Sequence, residues 1–214
     1  MIIDFKVYIK VILKKMNKIR IRSNEELKIQ NIGLIELSKI LKTENVLHFI
    51  TGGTLLGAIR EKNFIKWDWD VEITILTDQI FINRKNLNKA FLRSGFKISK
   101  FIDKYDSLKW ELIKYDCTYE LVGFYEEGEW MYRLGKGMKV PSYLFKKQSN
   151  LFFLGNNYQT VSDPIKYLEF CYGDWQTPKR TSDKRKYLNF SHVPKLKLYN
   201  IFFQKLKNFF NRGK

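Results

Sequence analysis

Residues 46–76 read VLHFITGGTLLGAIREKNFIKWDWDVEITIL, and their closing segment alternates acids with large apolar side chains. That alternation constrains the fold more than any other feature of the chain. Successive side chains of a strand point to opposite faces, so Asp68, Asp70 and Glu72 share one face while Trp69, Val71 and Ile73 share the other. Three carboxylates on one face repel each other unless a cation sits among them. Hard oxygen donors at this spacing suit Mg²⁺ or Mn²⁺.

The first half of the stretch supplies a second element. Residues 46–51 are apolar enough for a buried strand, and Gly52-Gly53-Thr54 turns from it into LLGAI, a helix start. Glycines at a helix N-terminus expose backbone N–H groups, and the dipole there favours an anion. Phosphate cradle and metal carboxylates together are the equipment of phosphoryl transfer. Taken singly, Gly-Gly is an ordinary turn and D-x-D an ordinary solvated strand end. Here they follow in order, about one helix apart, with the acids embedded in tryptophan and isoleucine.

GGTLLGAIREKNFIKWDWDVEI resembles the signature of the LicD/fukutin-related family, G-T-L-L-G-A-x-R followed by a short spacer and W-D-x-D-[IV]-[DE]. Both halves and their spacing agree, over 53–60 and 67–72. DPIKYLEFCYGDWQTP, residues 163–178, resembles that family's C-terminal segment, so the likeness spans roughly 47–178. It implies an α+β (α/β) fold: a nucleotidyltransferase-like mixed sheet flanked by helices. It also implies transfer of phosphocholine, or of a phospho-alditol such as ribitol phosphate, from a CDP-linked donor to a glycan. Lys66 stands where the family has proline, and Glu72 where aspartate is common, which leaves donor identity open. The family has an acid at the place of Glu120, with Gly123 here in a proline position. A third carboxylate from a neighbouring strand would complete the metal shell, so the expected ligands are Asp68, Asp70, Glu72 and Glu120. Asp116 is the rival, read as a turn residue. Gly52, Gly53 and Thr54 are assigned to phosphate oxygens, and Arg60, one or two helical turns on, to a phosphate. His48 reads as a buried structural histidine. Asp174 and Trp175 are left out of the catalytic set.

Charge then separates the chain into three parts. Residues 1–22 carry seven Lys/Arg and one acid, residues 179–214 eleven and one, and residues 23–178 are nearly balanced, with 21 basic and 20 acidic residues. A nucleic-acid enzyme more often lines its central groove with positive charge, so basic ends on a neutral middle argue against that partner. They point instead to an anionic membrane surface. The expected organisation is a basic amphipathic helix over 1–22, a catalytic domain over 23–178, and a basic linker with an amphipathic helix over 179–214. In that last helix Tyr199, Phe202, Phe203, Leu206, Phe209 and Phe210 recur at helical intervals between lysines. Lysine or arginine interrupts every apolar run short of the ~20 residues of a membrane span. Lys6, Lys10, Lys14 and Lys15 break the core a secretory signal would need. Cys117 and Cys171 form no disulfide framework. The expectation is a cytoplasmic protein attached peripherally to the inner face of the membrane.

Between the motifs, Ser23 and its following acids predict a helix to about Lys42, with Leu27, Ile32 and Ile35 on its apolar face. Thr77-Asp78 predicts a helix reaching about Ser94. Short strands follow over 96–102, 108–113, 118–124 and 130–134, then a flexible basic loop over 135–141. Next come a short helix, a strand pair around 151–154 and 158–161, and a proline-started helix over 165–172.

The acceptor implied by the family and by the basic ends is a cell-surface or lipid-linked glycan precursor. Two other classes stay open: transfer of the nucleoside monophosphate itself to a small molecule or an RNA end, and a non-enzymatic module that binds anionic surfaces.

Overall fold

The computed structural model describes residues 20–181 and 187–189. The helices expected over 1–22 and 196–212 lie outside the described residues, apart from Arg20–Arg22.

The first helix, α1 (Asn24–Thr43), opens on a capping box. Glu26 N–H donates to Ser23 Oγ at 3.2 Å, and Ser23 N–H donates to the Glu26 carboxylate at 2.7 Å. Two helix-end donors are satisfied reciprocally. Its buried side is Leu27, Gln30, Leu34, Leu37 and Leu41, spaced by three and four. Ile32 and Ile35 face solvent, at 48% and 36% exposure, so only Leu27 of the expected face is buried. The isoleucines lie off the stripe that the leucines set, and branched apolar residues alone do not tell which stripe packs.

β1 (His48–Ile50) leads through the glycine corner into α2 (Gly52–Arg60), and β2 (Asp70–Leu76) returns antiparallel to β1. The expected helix over 77–94 is two: α3 (Thr77–Ile80) and α4 (Arg84–Arg93). Asn83 stands at the N-cap position of the second one without a side-chain cap bond, and Ile82 between them is 87% exposed. β3 (Lys97–Ile102), β4 (Lys109–Lys114) and β5 (Cys117–Glu127) follow as a meander. β6 (Trp130–Arg133) and β7 (Met138–Pro141) form a hairpin on the end of β5. The segment expected as a loop over the site therefore contributes a strand, with Met131 opposite Val140 burying its apolar residues. α5 (Tyr143–Lys146), the hairpin β8 (Gln148–Phe153) and β9 (Asn156–Val161), and α6 (Pro164–Tyr172) complete the described chain.

The nine strands form one mixed sheet in the order β3-β4-β5-β2-β1-β9-β8, with β6 and β7 branching from β5. β2 and β5 run parallel at its centre, pairing Val71 with Tyr119, Glu72 with Glu120 and Ile73 with Leu121. Val71, Ile73, Tyr119 and Leu121 are all at most 1% exposed. α1 lies over this face, where Tyr119 donates its hydroxyl to the Gln30 carbonyl at 3.1 Å. Burying this face in full leaves the opposite one, with Glu72 and Glu120, free for polar groups. No described helix is long and apolar enough to cross a membrane.

Candidate active site

The turn from β1 into α2 and the start of β2 meet at one corner. Gly52 has φ +58°, the left-handed region that glycine enters without strain. A Cβ on Gly52 would strike the Glu72 carboxylate, and one on Gly53 the Asp68 carboxylate. The glycine pair is thus the clearance that lets two acids close on the helix start. Gly53 N–H donates to Glu72 Oε2, and Glu72 N–H donates to Thr54 Oγ1 at 2.8 Å. Below them the Thr51 and Thr74 hydroxyls bond to each other at 2.8 Å, tying β1 to β2. Two of the groups assigned to phosphate, the Gly53 N–H and the Thr54 hydroxyl oxygen, therefore bind Glu72 and fix its place.

Asp68, Asp70, Glu72 and Glu120 are each half-buried. Asp70, two residues on, adds its negative charge to the surroundings of Asp68. Burial, then the Asp70 charge, pushes Asp68 well above the ordinary carboxylate range. Burial also raises Glu72, helped by Asp70 and Glu120 and opposed by Arg133 and the Gly53 N–H. Glu120 stands beside Glu72 in the β2–β5 register, and Lys109 Nζ holds its carboxylate at 2.7 Å. Among the described residues no three His, Cys, Asp or Glu side chains converge into a preformed metal cage. Asp68 and Glu72, both closing on Gly53, still fit Mg²⁺, which takes one or two carboxylates and fills its shell with water and substrate phosphate. The crowded charge at Asp68 and Glu72 is what a divalent cation there would relieve.

Comparison with known proteins places this geometry. Residues 45–160 match the LicD/FKTN/FKRP nucleotidyltransferase domain, more than half of the chain. The chain belongs to the LicD/FKTN/FKRP family. A ribitol-5-phosphate transferase, FKTN, of Macaca fascicularis is 28% identical over 162 residues, which cover 72% of this chain and 34% of that protein. The chain thus spans about a third of the length of the curated relative it matches. Among solved structures, a putative nucleotidyltransferase of Thermotoga maritima is 18% identical, covering 90% of this chain and 96% of its own, at a TM-score of 0.43. A lincosamide antibiotic adenylyltransferase, lincomycin-bound, is 12% identical, covering 67% and 82%, at a TM-score of 0.45. Membership in the LicD family supports a transferase, on a mixed α+β fold.

Outside the acid corner of this LicD-type domain, several sequence-selected residues have other duties. Arg60 stands at the far end of α2, about 12 Å of helix from Gly52 at 1.5 Å per residue. Its Nη1 donates to the Trp175 carbonyl at 2.9 Å and its Nε to Glu61 at 2.8 Å. In this arrangement Arg60 joins α2 to the segment after α6, and it is not at the phosphate corner. Asp116 and Tyr115 both have positive φ, the two-residue turn between β4 and β5. His48 is 4% exposed, with Nδ1 bonded to the Val46 carbonyl at 2.9 Å and Nε2 to Ser38 Oγ at 2.8 Å. Burial lowers its pKa, so it is a neutral, fully used core residue. Asp174 accepts from Thr177 N–H at 3.4 Å, a local turn bond.

Four residues of the site escape sequence reasoning. Arg133, at the end of β6, favours the ionised form of Glu72 and sits 5.4 Å over the Phe124 ring. Tyr167 and Tyr172 of α6 lie near Glu72, and burial first, then nearby charges, raises both well above an ordinary tyrosine. The Asp163–Pro178 resemblance is the signal that pointed to α6, but helical spacing alone does not say which of its aromatics meet the acids. Arg22, read as part of the basic N-terminal end, is 3% exposed behind Asp68.

Proposed function

We propose that this chain transfers a phospho-alcohol, of the phosphocholine or phospho-alditol type, from a CDP-linked donor to a hydroxyl of a glycan or lipid-linked glycan precursor. The observation that carries the reading is the closure of Asp68 and Glu72 on Gly53 and Gly52 within a LicD-type domain. Asp68 and Asp70 would hold Mg²⁺ or Mn²⁺, with Glu72 alongside and Glu120 as a further carboxylate on β5. When bound, the metal neutralises charge on the diphosphate of the donor. The start of α2 then presents its dipole to the phosphate. Glu72 is held in place by Gly53 N–H and Thr54, so it keeps its position as charge shifts. The acceptor oxygen bonds to the distal phosphorus as that phosphorus parts from the bridging oxygen. CMP carries away the bond electrons, and the hydroxyl proton passes to the acid corner.

The test incubates the full chain with CDP-alcohols, Mg²⁺ or Mn²⁺ and a glycan acceptor, and follows CMP. CMP release that Asp70→Asn abolishes supports the reading. Pyrophosphate release from a nucleoside triphosphate instead would identify a nucleotidyltransferase, the alternative that the same acids allow.

A further inference from the structure

Arg22 is a buried cation whose guanidinium donates to neutral oxygens. Nη1 donates to Gln30 Oε1, and Nη2 donates to the carbonyls of Ile65, at 3.0 Å, and of Asp68. Its own N–H donates to the Lys66 carbonyl at 2.9 Å. One residue therefore gathers three carbonyls of the 65–68 turn, the turn that delivers Asp68 to Gly53. Its guanidinium also lies 5.6 Å from the Trp69 ring, on the other side of Asp68 in sequence. Arg20 adds to this strap: its guanidinium is 5.0 Å from the same ring, and Trp69 Nε1–H donates to its carbonyl at 3.3 Å. Asp68 itself precedes β2, so no strand ladder fixes it. α1, through Gln30 and Arg22, does so instead.

We propose that Arg22 is a positioning residue for the metal carboxylates: its planar fork locks the 65–68 turn so that Asp68 closes on Gly53 beside Glu72. This rests on the metal-dependent reading above. A planar fork that holds Gln30 with one nitrogen and two turn carbonyls with the other is a property of arginine that the single lysine ammonium lacks. Groups that orient a ligand from behind typically change metal affinity by about 10–100-fold when replaced.

The experiment measures Mn²⁺ affinity of the full chain by electron paramagnetic resonance, beside its thermal melt, for wild type, Asp70→Asn, Arg22→Lys and Arg22→Gln. Wild type binds Mn²⁺ and Asp70→Asn does not. Both Arg22 variants melt cooperatively and bind about 10–100-fold more weakly. A stability defect alone would lower the melting temperature and leave the affinity of the folded protein unchanged, which overturns the inference. Lysine restoring wild-type affinity would also overturn it, because charge rather than the fork would then be the cause. Should either Arg22 variant fail to fold, Gln30→Met loosens the fork from behind and weakens Mn²⁺ binding several-fold; wild-type affinity there overturns the inference. A wild type that binds no Mn²⁺, with or without CDP, removes the metal reading itself and this inference with it.

Discussion

Gly52 and Gly53 give adjacent positions with different physics. Gly52→Ala meets two penalties: a left-handed φ that costs about 1–2 kcal/mol in a non-glycine residue, and a Cβ against Glu72. Gly53 has no positive φ, so Gly53→Ala meets chiefly the Asp68 carboxylate, with Glu72 Oε2 in ordinary contact at 3.4 Å. Gly52→Ala is expected to lower both stability and Mn²⁺ affinity. Gly53→Ala is expected to displace Asp68 and weaken Mn²⁺ at least tenfold, with the smaller drop in melting temperature; calorimetric melts and metal titration of the pair check this. Asp68 and Glu72 supply a second prediction at the same scale. Their folded pKa values are raised above the unfolded ones, about 3.9 and 4.3. The native state therefore binds more protons than the unfolded chain once pH exceeds about 4, and its stability falls as pH rises through the folded pKa values. Mg²⁺ competes for the deprotonated carboxylates, so it restores that loss. Melting curves in chelator and in Mg²⁺ should coincide near pH 4 and separate toward neutrality. In Asp68→Asn the separation should shrink.

At the scale of elements, α2 is held at both ends by different bonds: at its start by Glu72, at its end by Arg60 on the Trp175 carbonyl. Arg60→Ala should cost about 1.5–3 kcal/mol, the range for hydrogen bonds to charged groups, and leave Mn²⁺ affinity unchanged. A rise in KM for the donor with unaltered stability would return Arg60 to the phosphate role. This helix also shows what could be read without coordinates. Its start, β1 and β2 follow from alternation and from glycine placement, which are local; Glu120 came from the family resemblance, and its strand's parallel pairing with β2 came only with the fold. α1 was legible from Ser23 and Glu26, because a capping box is written in adjacent residues. Its buried face was not, since Ile32 and Leu34 differ only in what packs on them. The break at 81–83 was hidden because Asn83 reads equally as helix interior and as cap. The fate of Arg60 and Arg22 was beyond sequence because their partners lie 115 positions away for Arg60 and 43 and 46 for Arg22, joined only by tertiary folding.

For the molecule as a whole, charge location matters more than the net +17. Eighteen of the 39 Lys/Arg fall in residues 1–22 and 179–214, against two acids there, while the domain that holds the acid corner is nearly neutral. A neutral domain does not drive its own anionic substrate away, and basic ends can meet an anionic surface without competing with that substrate. Each Lys or Arg near an anionic leaflet adds about 1 kcal/mol of attraction. The full chain is therefore expected to sediment with vesicles containing phosphatidylglycerol and to remain in solution with pure phosphatidylcholine. Raising salt from 0.1 to 1 M shortens the screening length from about 10 to about 3 Å and should release it. Neutralising Lys195, Lys197, Lys205 and Lys207 to glutamine should weaken the partition by up to ~4 kcal/mol. The same variant should keep wild-type CMP release from a soluble donor and acceptor, because Asp68, Asp70, Glu72 and Glu120 stand unchanged in it. Sedimentation that ignores both lipid charge and salt would separate the basic ends from any surface, and would leave the acceptor to be recognised by the domain alone.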